Sequence, residues 1–175
     1  HESGAGLFAG VKAITVAGRE IDFVPVLHIP ADTQTTAAKT VSNSVTFRFA
    51  KALASGADAV IIDLEDAVAP AEKSVARGQL VQGFAQLPPA DRARLVVRLN
   101  APGTPFHDDD LITLRQLASD GLAGVMVPKA ETVDSLRRVA EAIGAGCALL
   151  PLIESVAGLD AADALASAPQ VHRLA

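Results

Sequence analysis

The sequence predicts an α/β fold, a (β/α)8 barrel of which the chain carries about strands one to six and lacks the C-terminal part. From Phe47 onward, short apolar runs alternate with amphipathic stretches, one strand and one helix about every 25 to 35 residues, a rhythm that needs crossover connections and a parallel sheet. Each apolar run also ends in polar residues: Asp63-Leu64-Glu65-Asp66, Arg98-Leu99-Asn100, Pro128-Lys129 and Glu154-Ser155. Functional side chains at the carboxyl ends of several strands are what a barrel active site is made of. An open doubly wound sheet is the alternative closure, but no G-x-G-x-x-G follows the first clear strand, which weakens its dinucleotide-binding form.

Along the chain, Val11 to Val16 and Ile21 to Ile29 read as two strands joined around Ala17-Gly18, the second serving as the first barrel strand. Residues 1–23 are then an extension or hairpin, and 24–175 a partial barrel domain. Thr33 to Thr46, rich in Thr, Ser and Asn, reads as a loop or an irregular helix start. Further strands are expected at Ala59 to Leu64, Leu95 to Asn100, Gly124 to Pro128 and Cys147 to Glu154, with another beginning at Val171. Between them, Leu111, Leu114 and Leu117 recur at helical spacing, as do Val133, Leu136, Val139 and Ile143. The run Asp108-Asp109-Asp110 reads as an N-cap and first helical turn rather than a metal site. Lys73 and Arg77, four apart on a helix, read as a solvated face.

Composition narrows the function. Half the 175 residues are hydrophobic, with 6 Phe and neither Trp nor Tyr, an aliphatic mixture suited to strands buried on both faces. A net charge of −5 argues against a nucleic-acid partner, which clustered Lys and Arg would serve. The longest apolar runs are shorter than the roughly 20 residues a membrane span needs. A single cysteine, Cys147, cannot form an internal disulfide, which suits a cytoplasmic setting. His1, His28, His107 and His172 lack the close spacing of a zinc site.

The run Lys51-Ala52-Leu53-Ala54-Ser55-Gly56-Ala57-Asp58-Ala59-Val60-Ile61-Ile62-Asp63-Leu64-Glu65-Asp66-Ala67-Val68 closely resembles the K-A-x-x-S-G-A-D-x-V-I-x-D-L-E-D-A-V signature of the citrate lyase β-subunit and malyl-CoA lyase group, the HpcH/HpaI aldolase family. Further matches follow in the family's order: Lys73 to Arg77 is similar to its K-x-x-A-R, Val97-Arg98-Leu99-Asn100 to its V-R-x-N, Val125 to Lys129 to its V-M-x-P-K, and Leu152-Ile153-Glu154 to its strand-end glutamate. The sequence departs from the family where Val24-Pro25-Val26-Leu27-His28-Ile29-Pro30 lacks the arginine of the usual R-S-x-L-F-V-P-G opening, and Thr33 to Thr46 reads as extra sequence. The family's G-x-x-D, source of a second acidic metal ligand, is expected beyond Ala175.

The resemblance implies a magnesium-dependent lyase that cleaves or forms a β-hydroxy thioester such as citryl-, malyl- or citramalyl-CoA or its acyl-carrier equivalent, with a 2-oxo acid and an acyl thioester on the other side. A divalent cation chelated by the 2-oxo acid stabilises the oxygen that gains negative charge, and hard oxygen ligands suit Mg2+. Glu154 is the candidate ligand. Arg98, with a permanently charged planar fork, is a candidate catalytic and substrate-binding residue, or else an ion-pair partner of Glu65 or Asp66. Alternation turns Asp63 and Glu65 toward one face. Glu65 is a second catalytic and substrate-binding candidate that orients metal-bound water or the substrate, and Asp66 equally suits a helix cap. Lys129 is a further candidate for binding substrate charge or for acid–base chemistry. Lys73 and Arg77 have a second use against a CoA or carrier phosphate.

The partners so implied are a CoA or acyl-carrier thioester and a 2-oxo acid, with no nucleic acid and no membrane, in a homo-oligomer. Two other readings remain: a metal-dependent aldolase acting on free hydroxy-oxo acids, and a catalytically incomplete fragment or subunit that needs a partner to close its barrel.

Overall fold

The structure is a computed structural model that describes residues 49–55 and 57–175, together with the backbone of three strands, β1 (Ile14–Val16), β2 (Arg19–Ile21) and β3 (Phe23–Leu27). The Thr33 to Thr46 segment, His1 and His28 lie outside the described residues, as does the comparison with the family's opening strand beyond Leu27. β1 and β2 pair antiparallel, Ile14 opposite Ile21. The expected strand from Ile21 to Ile29 is divided, because Ile21 pairs within this hairpin whereas Phe23 pairs parallel with Ala59. The chain changes sheets between them.

Helix α1 (residues 49–53) leads into β4 (Ala59–Asp63). A 3-10 turn (Pro70–Glu72), α2 (Lys73–Ala85) and α3 (Pro89–Arg92) follow. β5 (Leu95–Arg98), α4 (His107–Ser119), β6 (Gly124–Val127), α5 (Val133–Ile143) and β7 (Ala148–Pro151) continue the alternation, ending in α6 (Val156–Asp160) and α7 (Ala162–Ala166). The main sheet runs β3-β4-β5-β6-β7, every pair parallel. A doubly wound sheet must reverse its strand order at a switch point. Strictly sequential neighbours instead describe the wall of a barrel.

Val171 extends that order. It forms a parallel bridge to Leu149, and His172 N–H donates to the Leu149 carbonyl and Ala175 N–H to that of Pro151, both at 2.9 Å. The expected sixth strand therefore lies along β7.

Two separate apolar clusters show the two faces of the wall. Val60, Ile62, Leu95, Val97, Val125, Val127 and Leu149 pack outward against helix residues such as Leu80, Phe84, Leu114, Leu136 and Val139. The alternate residues Ile61, Val96, Met126 and Leu150 form their own cluster on the other face, in the manner of a barrel's interior layer. The strands are short, continuous apolar runs because both faces are buried. α5 has the clearest local signals: the Thr132 side chain accepts from Ser135 N–H, Leu136, Val139 and Ile143 form a buried stripe, and Gly144 at φ 75° ends it.

Among the described residues, no helix is long and apolar enough to cross a membrane. Cys147 is 2% exposed, and burial pushes its thiol up to about 11. At pH 8 its thiolate fraction is then on the order of one in a thousand. An aromatic disulfide reagent added to the folded protein is expected to leave Cys147 unmodified until denaturant is added. Stoichiometric modification within minutes under native conditions contradicts this burial.

Candidate active site

Every strand of the main sheet points the same way, so their carboxyl ends share one rim. The inward phase of β4 reads Ala59, Ile61, Asp63 and that of β5 reads Val96, Arg98. The register sets Asp63 directly beside Arg98 and Arg98 beside Met126. Residues that continue this phase past the strand ends, Glu65 and Glu154 among them, are carried to the same rim.

Arg98 grips Asp63 with both arms of its fork, Nε to Oδ1 at 2.8 Å and Nη2 to Oδ2 at 2.5 Å. Its remaining nitrogen, Nη1, lies 3.3 Å from Glu65 Oε2 and 3.9 Å from Asp66. Glu65 Oε1 accepts from Lys129 Nζ at 3.0 Å. The backbone N–H of Lys129 donates to Glu154 Oε1 at 2.8 Å. Arg98, Glu65, Lys129 and Glu154 thus form one connected chain of contacts across β4, β5, β6 and β7. Lys129 holds φ at 48°, a left-handed conformation uncommon for any residue but glycine, which clusters at functional sites. That turn aims its N–H at Glu154 while its ammonium reaches back to Glu65.

The charges are tuned in opposite directions. Burial raises the Glu65 carboxyl above the ordinary glutamate range, against the pull of the Lys129 hydrogen bond and the Arg98 charge. The hydrogen bond to Glu65 raises Lys129, and the bond to Asp63 raises Arg98, so both cations stay charged. Glu65 Oε2 is buried and lacks a hydrogen bond. Its contact with Arg98 is ionic but not aligned as a hydrogen bond.

Beneath the rim lies a second polar layer. Lys73 Nζ donates to the Leu64 and Glu65 carbonyls at 2.7 and 2.5 Å and sits 5.5 Å from the centre of the Phe106 ring. Asn100 donates through Nδ2 to the same Leu64 carbonyl at 3.0 Å and to Asp110 Oδ2 at 2.7 Å. Asp110 also accepts from Asn100 N–H at 2.8 Å and from Arg77 at 3.1 Å. His107 Nδ1 lies 2.8 Å from the Asn100 carbonyl.

Several expectations are corrected here. Lys73 and Arg77 do not form a solvated face: Lys73 is buried, and Arg77 binds Asp109 and Asp110. Arg77 is therefore already committed to carboxylates rather than open to a phosphate. α4 starts at His107 with Phe106 at its N-cap and no side-chain cap bond, so the acidic run lies wholly within the first turn. Asp110 is fully buried there. Asp66 caps no helix, since Ala69 and Glu72 occupy the caps of the 3-10 turn and of α2. Asp63, not Glu65 or Asp66, is the main partner of Arg98, and it also accepts from the Glu65 and Ala67 N–H groups at 2.8 and 3.0 Å.

The rim suits a hard divalent cation. Arg98, Lys129 and, behind them, Lys73 stand against four carboxylates, Asp63, Glu65, Asp66 and Glu154, an excess of one negative charge (four minus three). Glu154 is exposed, and only one of its oxygens carries a hydrogen bond among the described residues. No group of three or more His, Cys, Asp or Glu able to hold a metal occurs among the described residues. An ion here would rest on Glu154, substrate oxygens and water, the coordination that Mg2+ accepts and zinc does not favour.

Residues 41–175 match the family model described as HpcH/HpaI aldolase/citrate lyase. The chain is 41% identical over 81 residues to an L-malyl-CoA/beta-methylmalyl-CoA lyase of Cereibacter sphaeroides, covering 46% of the chain and 25% of that protein. It is 44% identical over 110 residues to a citrate lyase subunit beta-like protein of Mycobacterium tuberculosis, covering 58% of the chain and 37% of that protein. The crystal structure of the protein CitE from Mycobacterium tuberculosis, in complex with magnesium and acetate, superposes with a TM-score of 0.59 at 34% identity, covering 77% of this chain and 50% of that one. The chain thus spans between 25% and 37% of the length of these curated relatives.

Proposed function

The chain belongs to the HpcH/HpaI aldolase/citrate lyase family, and we propose that the protein carrying it is a carbon–carbon lyase acting on a β-hydroxy acyl thioester, linked to CoA or to an acyl-carrier group. Cleavage yields a 2-oxo acid and an acyl thioester, and citryl, malyl and citramalyl thioesters are the substrates to try first. The observation that carries this reading is the meeting of Arg98, Glu65, Lys129 and Glu154 on one strand-end rim. The relatives named as a malyl-CoA lyase and a citrate lyase subunit beta-like protein support it.

Each side chain has a physical task. Asp63 locks two arms of Arg98, which leaves Nη1 as the donor edge for the oxygens of the 2-oxo acid. Lys129, with a half-exposed side chain, brings a second positive charge to the substrate carboxylate. Glu65, beside Arg98 and bonded to Lys129, orients the substrate hydroxyl, and the proton lost there as the carbon–carbon bond breaks is matched by the one that the α-carbon of the released acyl thioester gains. Glu154 would hold Mg2+, which when bound supplies Lewis-acid stabilisation of the oxygen that gains charge. The residues before 24 as a separate hairpin, a homo-oligomeric assembly and a cytoplasmic setting belong to the same proposal.

The test is a panel of citryl-, malyl- and citramalyl-CoA offered to the intact protein with Mg2+ and then with a chelator. Turnover that disappears on chelation, returns with Mg2+ and falls at least about 100-fold in Glu154→Gln is expected. Turnover of free hydroxy-oxo acids with no response to CoA favours an aldolase instead. Undiminished thioester cleavage in the chelated protein contradicts the cation's role.

A further inference from the structure

Lys73 is a buried cation that the proposed chemistry does not use. It is 6% exposed, burial lowers its pKa below the ordinary lysine range, and both of its hydrogen bonds go to backbone carbonyls rather than to a carboxylate. Desolvating an ammonium is costly unless its surroundings repay it, so where those bonds fall is informative. They fall on Leu64 and Glu65, the two residues linking β4 to the rim carboxylate. The ammonium's neighbour on another side is the Phe106 ring, a contact that stabilises a desolvated cation.

The Leu64 carbonyl is a junction, for it accepts from Lys73 Nζ and also from Asn100 Nδ2. Leu64 N–H donates to the Arg98 carbonyl at 2.9 Å. Leu64 is therefore tied through its N–H to the strand carrying Arg98, and through its carbonyl to α2 and to the segment after β5. Asn100 is in turn fixed by the buried Asp110 through its backbone N–H and its side chain.

We propose that Lys73 is a positioning residue which, with Asn100, clamps the Leu64–Glu65 turn so that the Glu65 carboxylate and the Arg98 fork are presented to the substrate as one rigid unit. The inference rests on the lyase reading for its catalytic consequence but not for its structural one. Misplacing a catalytic group by about 1 Å costs on the order of 100-fold in rate. Lys73 has no contact with Glu154, so cation binding stays outside its reach, whereas substrate placement runs through the Glu65 and Arg98 that it positions.

The experiment compares wild-type, Lys73→Met and Asn100→Ser forms of the intact protein by steady-state kinetics on the thioester that the wild type turns over, and by hydrogen exchange of the Glu65 and Ala67 amides. The expected result is a kcat lower by about 100-fold, a larger factor than any rise in KM, with Mg2+ dependence within about twofold of wild type. Exchange at those two amides should be faster by roughly tenfold or more, with the amides of α5 unchanged. A folded Lys73→Met that keeps kcat within threefold, or whose KM rises while kcat holds, overturns the proposal. So does accelerated exchange without loss of kcat. Should Lys73→Met fail to fold, Asn100→Ser, which removes one donor to the Leu64 carbonyl and keeps the lysine, decides by the same two readouts. A wild-type protein inactive on every thioester tells against the lyase reading alone, and the exchange comparison still decides whether the clamp exists.

Discussion

Arg98→Lys is expected to lower kcat/KM by about 100- to 1000-fold while costing only about 1–2 kcal/mol of stability. A lysine retains the charge but cannot reproduce two parallel hydrogen bonds to Asp63 while leaving a third nitrogen at the rim. Its ammonium would settle on Asp63, whose side chain is 1% exposed, because an unpaired buried carboxylate is the costlier alternative. The donor edge facing the substrate is then lost. Arg98→Met removes the charge as well and is expected to destabilise the protein by about 3–5 kcal/mol, since Asp63 is left buried and unpaired. Adding Asp63→Leu to Arg98→Met should return only part of that stability, because it removes the unpaired charge but strands the Glu65 and Ala67 N–H groups that Asp63 accepts from. Activity should not return. Steady-state kinetics and urea midpoints on the three variants separate the two roles, and Arg98→Lys with turnover within fivefold of wild type would falsify the substrate contact.

The largest effect on folding alone is expected at Asp110. Its carboxylate is completely buried and accepts from Asn100 N–H, Asn100 Nδ2 and Arg77 Nη1. Asp110→Ala strands three donors in the interior and removes the buried one of the two carboxylates that balance Arg77, a change worth about 3–5 kcal/mol. Asp110→Asn keeps the volume and one acceptor oxygen but turns an amide donor toward other donors, so an intermediate loss of about 2–3 kcal/mol is expected. Urea denaturation measures both. A loss under about 1 kcal/mol in the alanine variant contradicts the part assigned to this layer as the support of the rim.

The strands β4 to β7 are legible in the sequence because each is a short run buried on both faces, and the polar residues that end each run announce the rim. Placing Arg98, Glu65 and Glu154 on that rim needs only strand direction and alternation, whereas Lys129 is out of phase with the inward Met126 and reaches the rim through its left-handed backbone. The Asp63–Arg98 pair is not legible in the same way. It depends on the register between β4 and β5, which arises from packing between segments more than thirty residues apart and leaves no mark in either alone. α2 is legible only in part for another reason: Ala76, Leu80 and Phe84 mark its inner face, but it also buries Lys73 and Gln79 and exposes Val75, so the polar residues of that face are hidden from its apolar pattern. Asp110 had a usable signal, since it shares the helical phase of Leu114 and Leu117 and not of the half-buried Leu111. An acidic residue on an apolar stripe is a buried group in search of donors.

The most direct test of the rim as a joint cation and 2-oxo acid site is water-proton relaxation by Mn2+, a paramagnetic stand-in for Mg2+, on the intact protein titrated with glyoxylate, pyruvate and oxaloacetate. The predicted result is an enhanced relaxation rate on Mn2+ binding that changes when a 2-oxo acid is added. The enhancement should be absent in Glu154→Gln, and in Arg98→Lys it should be present but unresponsive to the acid. Equal Mn2+ binding by wild type and Glu154→Gln, with the same response to the acid, would contradict it.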